Sequence, residues 1–157
     1  MAQSIGPQLR KYWQLFAGLP GGKWLFSNLL GLYVPYTGSI AARVETLQPG
    51  YGVVTLNDHR KVRNHLKSVH AIALVNLAEM ATGLTLMNSL PDNTRGILTG
   101  IDMQFLKKAR GRLSAECYCD IPSDNSQQEV QLDGEIRNSQ GEVVATARAN
   151  WLIGPEK

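Results

Sequence analysis

The chain has two cysteines and three histidines in 157 residues, so metal and disulfide chemistry have little to work with. Cys117 and Cys119 sit two apart in a strand-like segment, where side chains point the same way and a bridge between them is disfavoured. They read as reduced core residues, and no second cysteine cluster exists to complete a zinc site. Strong charge is also missing: the net charge is only +3 and charged residues make up 18%, so a nucleic-acid partner is not demanded. The N-terminus has no basic segment followed by an unbroken apolar run and a cleavage site. A secretory signal is therefore not expected, and the default expectation is a cytoplasmic protein.

The most informative shortage lies between Lys67 and Asp92. The 24 residues from Ser68 to Pro91 hold one formally charged side chain, Glu79. Asn76, Thr82, Thr85 and Asn88 interrupt the stretch further, and a charge near its middle costs about 3 kcal/mol on membrane-insertion scales. A helix buried within the protein, from about Val69 to Ser89 and closed by Pro91, is the better expectation, with no stable membrane insertion. A bare carboxylate in such a setting costs several kcal/mol. Glu79 must be paired, protonated or put to use.

What is present organises the rest. Apolar residues at 43% suit an ordinary globular chain, read as one domain over 1–157. Leu9, Tyr12, Trp13 and Phe16 form an amphipathic helical stripe that Gly18, Pro20, Gly21 and Gly22 break, and a second short helix is expected over Trp24–Leu30. Residues 1–36 are thus a helical extension, read as a cap over the main domain. Ile40, Ala42 and Val44 alternate with polar neighbours, and Tyr51–Leu56 follows Pro49-Gly50, which suggests a hairpin.

Past the helix the period of two returns. Ile101, Met103 and Phe105 share a face, as do Leu113, Ala115, Cys117, Cys119 and Ile121; then Val130, Leu132 and Ile136; then Val143, Ala145, Ala147, Ala149 and Trp151 after a turn at Asn138–Gly141. These four runs are expected as a meander with one wet face. An antiparallel sheet of five to six strands curved around the apolar helix satisfies both elements, an α+β architecture of the hotdog kind, with a core over 39–154.

Within this frame the segment Asn64-His65-Leu66-Lys67-Ser68-Val69-His70-Ala71, followed by Asn76-Leu77-Ala78-Glu79, resembles the signature of hotdog-fold acyl-CoA thioesterases of the phenylacetate-pathway type. There an Asn precedes a His by six residues and a catalytic acid by fifteen, spacings that Asn64, His70 and Glu79 keep. Ile101–Gly111 looks like the third strand and basic turn of that family. The helical N-terminus with Val34-Pro35-Tyr36 and His70-Ala71 is similar to a less characterised thioesterase-like branch, the DUF4442 domain of unknown function.

The resemblance implies hydrolysis of a coenzyme A thioester with no cofactor and no metal. Glu79 would act as base, Asn64 would orient water or the carbonyl, and the His70 and Ala71 amides at the helix start would face the oxyanion. Family members carry His-Gly-Gly where this chain has His70-Ala71-Ile72, which keeps the N–H groups but not the closest approach. The family site lies between two subunits, so a homodimer or a dimer of dimers is expected. Substrate contacts are expected from Asn76, Gly83 and Thr99 in the groove, and from Lys107, Lys108 and Arg110 on the coenzyme A phosphates.

Other readings stay open from the residues alone. His70 suits a cap or a core position, Ser68 suits an N-cap, and Asn64 suits a turn. A non-catalytic acyl-CoA binding protein and a hotdog hydratase or dehydratase are the alternatives.

Overall fold

A computed structural model describes residues 4–120 and 122–156; Ile121, placed above on an inward face, lies outside them. Helices α1 (Gly6–Phe16), α2 (Gly22–Tyr33) and the short α3 (Pro35–Gly38) precede strands β1 (Arg43–Gln48) and β2 (Tyr51–Leu56). The long helix α4 (Ala71–Ser89) follows, then β3 (Thr94–Phe105), β4 (Leu113–Tyr118), β5 (Gln128–Arg137) and β6 (Val143–Pro155). The six strands form one antiparallel sheet in the order β1-β2-β4-β5-β6-β3. It curves around α4, which touches every strand. The fold is the hotdog fold.

The expected four-strand meander is corrected. Only β4, β5 and β6 run as neighbours in sequence order, whereas β3 pairs with β6 along its whole length and becomes a sheet edge. Residues 106–112 therefore cross past the segment before α4, where the Ala109 carbonyl accepts from Val69 N–H, to reach β4 beside β2. Alternation reports which face a residue takes, not which strand lies next to it.

Why α4 can be enclosed is visible in its polar residues. From Leu74 to Ser89 all but Val75 and Glu79 are buried. The Thr82 hydroxyl donates to the Ala78 carbonyl at 3.0 Å, Thr85 to Ala81 at 2.6 Å and Ser89 to Thr85 at 2.6 Å. Each hydroxyl is satisfied by its own helix, so burial costs little. Ser89 also accepts from the Gly50 N–H at 2.8 Å, tying the helix to the β1–β2 turn. At Gly52 the strand comes so close that a Cβ would collide with the Thr85 hydroxyl.

The N-terminal helices are fastened to this core by polar contacts as well as packing. Arg10 of α1 reaches the last carbonyls of α4, donating to Leu90 at 3.2 Å and to Met87 and Asn88 at 3.4 Å, and pairs with Asp92. Those carbonyls have no partner within the helix. Ser27 of α2 accepts from the Val44 N–H at 2.9 Å, and Lys23 donates to the Glu45 carbonyl at 2.6 Å. Trp13 meets Phe26 edge-on with ring centroids 5.1 Å apart, closing α1 onto α2.

Candidate active site along the central helix

The residues before α4 are held by a tight web. The Asn64 side-chain oxygen accepts from the Leu66 N–H at 2.9 Å, the Ser68 N–H at 3.3 Å and the Ser68 hydroxyl at 3.2 Å. Asp58 accepts from Arg63 at 2.6 Å and from the Gly111 N–H at 3.1 Å, which knots this loop to residues 106–112. The hydrogen bond from Arg63 holds the Asp58 carboxyl below its ordinary value. Arg110 donates to the Lys67 and Leu66 carbonyls at 3.1 and 3.2 Å. Its guanidinium is thus spent on the loop, whereas the sequence pattern placed it on a substrate phosphate.

The helix itself is capped by His70 rather than by Ser68. The His70 Nδ1 accepts from the Ile72 N–H at 3.1 Å, which fixes an acceptor nitrogen at the cap position. The His70 N–H donates to the Val62 carbonyl at 2.7 Å. Of the two amides expected to face an oxyanion, that of His70 is therefore engaged, while nothing among the described residues accepts from Ala71 N–H. Ala71 and Asn64 share a concavity of about 310 Å³ with Phe105, Lys107 and Lys108. Lys107 pairs with Glu142 at 2.7 Å; Lys108 is exposed beside it.

Glu79 lies in a different place. Eight residues beyond Ala71 put it about 12 Å farther along α4. It opens into a groove of about 260 Å³ walled by Met80, Leu84 and Met87 of α4, Arg95–Ile97 of β3, Trp151 of β6, and Ile5 and Leu30 of the N-terminal helices. Among the described residues its carboxylate has no hydrogen-bond or ion-pair partner, and burial pushes its pKa up. Gly83 leaves the space in front of it: a Cβ there would stand 3.0 Å from the Trp151 ring and 3.5 Å from Glu79 Oε1. Any larger residue would fill the gap between carboxylate and indole.

Two other expected contacts are placed elsewhere. Asn76 donates to the Tyr36 carbonyl at 3.3 Å, joining α4 to α3. Thr99, expected on the face of Ile101 and Met103, is the extra residue of a bulge where Leu98 pairs with Trp151 and Gly100 with Asn150. It is exposed, and its hydroxyl donates to the Asn150 carbonyl at 3.0 Å. Conversely, Arg95, Trp151 and the N-terminal residues Ile5 and Leu30 line the groove without having been singled out. The alternation put Trp151 on an inward strand face, but its place opposite Gly83 is set by the fold.

Similar structures share the fold. A structural-genomics protein, APC5556, is 28% identical with a TM-score of 0.81 over 94% of this chain and 99% of its own. A Pseudomonas aeruginosa protein of unknown function, PA5026, described as a probable thioesterase, is 24% identical with a TM-score of 0.76, covering 88% and 97%. A thioesterase from Staphylococcus aureus is 18% identical with a TM-score of 0.68, covering 77% and 99%. The last two establish the fold alone. No curated protein matches the chain in sequence. The profile of the domain of unknown function DUF4442 matches residues 22–153, from the start of α2 to near the end of β6, and the chain belongs to the DUF4442 family of hotdog-fold proteins.

Proposed function

We propose that the protein hydrolyses an acyl-CoA thioester, with Glu79 as general base, at a site completed by a second copy of the chain. The observation that carries this reading is a partly buried carboxylate, without a partner among the described residues, facing a largely apolar groove beside a glycine that leaves it room. A carboxyl whose pKa is raised by burial is suited to take a proton near neutral pH.

The edge strand supports a second copy. β3 carries 12 residues, and among the described residues only β6 pairs with it. The start of β3 borders the Glu79 groove through Arg95–Ile97, and its end borders the Ala71 concavity through Phe105. Antiparallel pairing of two β3 strands about a two-fold axis sets the start of one beside the end of the other. Glu79 of one copy then faces the α4 start of its mate, which spans the 12 Å that separate the two halves within a single chain.

In that arrangement Glu79 takes a proton from water as the water oxygen attacks the thioester carbonyl. The developing oxyanion faces the Ala71 N–H and the positive end of α4. Collapse of the tetrahedral species breaks the carbon–sulfur bond. The proton on Glu79 passes to the departing thiolate, and the products are a carboxylic acid and coenzyme A. Lys107 and Lys108 stand at the mouth of the α4 end, where the phosphates would lie.

A second reading has its own support. Because the His70 N–H already donates to the Val62 carbonyl, the oxyanion would meet fewer donors than the motif suggests. A protein that binds acyl-CoA without cleaving it fits that shortage. Thiol release from a panel of acyl-CoAs, measured for the parent, Glu79→Gln and Glu79→Ala, separates the two. Turnover that both substitutions abolish supports hydrolysis, tight binding without turnover supports the second reading, and variants that match the parent exclude Glu79 as base.

A further inference from the structure

The groove in front of Glu79 shares a wall with a second space among the N-terminal helices. Ile5 and Leu30 wall it on one side and, on the other, line a second cavity of about 280 Å³ between α1 and α2. Leu9 and Phe26 form the buried floor of that cavity, and Tyr12, Leu29 and Tyr33 form its rim. None of the residues lining it carries a formal charge; Gln8 and the two tyrosine hydroxyls supply its polar groups.

Leu29 and Tyr33 are 44% and 69% exposed, so the far end opens toward solvent instead of closing on a hard wall. Leading away from the carboxylate, the walls are thus Met80, Leu84 and Met87, then Ile5 and Leu30, then Leu9 and Phe26. These walls are apolar; Ser4, Thr37 and Arg95 lie elsewhere around the Glu79 groove.

Size and chemistry both bear on the occupant. The Glu79 groove alone falls short of the roughly 300–1,000 Å³ of ordinary ligand pockets, whereas the two spaces together would fall within that range once the Ile5 and Leu30 side chains part. Apolar cavities take up hydrocarbon in preference to water. We infer that the space between α1 and α2 is the acyl-tail compartment of the Glu79 site, taking the distal methylenes of a long, unbranched acyl thioester past the partition of Ile5 and Leu30.

This inference rests on the Glu79 groove as an acyl-CoA site, and the N-terminal helices become part of the specificity apparatus. The open rim means that chain length is selected by accumulated contact and not by a stop. Each methylene fully withdrawn from water adds up to about fourfold in affinity.

The test uses thioether analogues of butyryl-, octanoyl- and palmitoyl-CoA, in which a methylene replaces the carbonyl so that nothing is cleaved. They are titrated by calorimetry into the full chain and into Leu29→Trp and Leu29→Asp, the first filling the cavity and the second placing a charge in the path. Leu29 is partly exposed, so neither change strips the core, and melting temperatures verify folding. Expected is a palmitoyl-to-octanoyl affinity ratio of tenfold or more in the parent, falling to near one in both variants.

A parental ratio within twofold overturns the inference, as does no binding of any analogue. A ratio that either folded variant leaves unchanged overturns it too, including the case in which the substitution alters only the oligomeric state, as a protein seam would. Length-dependent binding with no cleavage of the corresponding thioesters leaves the compartment standing and removes the hydrolase reading. Cleavage with no length preference does the reverse.

Discussion

The two ends of the chemistry along α4 are built by opposite means. At the helix start, nearly every polar group is committed: Asn64 to Ser68 and Leu66, His70 to Ile72 and Val62, Asp58 to Arg63 and Gly111, Arg110 to two carbonyls. Two turns on, Glu79 stands in an apolar groove with no partner among the described residues. Their acids shift in opposite directions, Asp58 downward through the hydrogen bond from Arg63 and Glu79 upward through burial. A rigid, saturated frame can present a backbone donor, and a dry, unsaturated groove can hold a reactive carboxylate. One stretch of chain cannot readily do both in one place.

The largest effect that would break this contrast is on turnover. Glu79→Gln keeps the shape but removes the base, so thiol release should fall about 100-fold or more. The melting temperature should hold or rise, because an unpaired carboxylate leaves the groove. Equal turnover by the variant would mean that the groove is not where the reaction happens.

The frame at the helix start should answer in stability instead. Asn64→Ala strips the acceptor from two N–H groups and a hydroxyl, at a cost of about 1–3 kcal/mol. Asn64→Asp keeps the acceptor and should recover most of the loss in denaturant melts. His70→Ala removes the cap of α4 for about 1 kcal/mol, lowering the melting temperature by about 2–4 °C, and His70→Asn should restore it. A His70→Asn protein that is stable yet inactive would instead give the ring a part in the chemistry.

Acidity separates the two regions by sign. The raised Glu79 pKa means that the folded state holds this proton more tightly, so its contribution is present below the ordinary carboxylate value and lost as pH rises through the folded value. Melting temperatures of Glu79→Gln and the parent should coincide in acid and diverge as pH increases, with the variant above. Asp58 is the converse: its contribution is present above its unfolded value and lost as pH falls through the depressed one. Asp58→Asn should therefore differ from the parent near neutral pH and converge with it in acid.

The smallest effect belongs to the exposed cations. Lys108→Ala should raise KM for acyl-CoA by a factor of about two to five at low salt, with less effect on an acyl-pantetheine that lacks the adenosine phosphates.

Much of this molecule was legible in its residues, for reasons that differ by element. The run from Ser68 to Pro91, charged only at Glu79, is the sequence image of a helix wrapped by a sheet, and alternation marked the inward faces of β4, β5 and β6. Strand neighbours were not legible, because a period of two carries no information about partners; hence β3 at the edge. A bulge at Thr99 interrupts the period where nothing in the residue types announces it.

The resemblance grouped Asn64, His70 and Glu79 as a set. It could not tell that a long Arg110 side chain would turn back onto carbonyls, or that a histidine would take the cap from a serine. The N-terminal share of the groove was hidden because Ile5 and Leu30 look like ordinary apolar helix residues until the fold lays them against Glu79.

The clamp of Arg10 on the end of α4 has a consequence for motion. Three carbonyls of the core helix are satisfied from a separate element, so α1 cannot lift away without uncapping the core. The final turn of α4 and the whole of α1 should open as one cooperative unit, their amide protons exchanging with a shared protection factor below that of the sheet centre. Whatever settles between α1 and α2 then slows exchange at the far end of the central helix, a response to occupancy that can be read without watching any reaction.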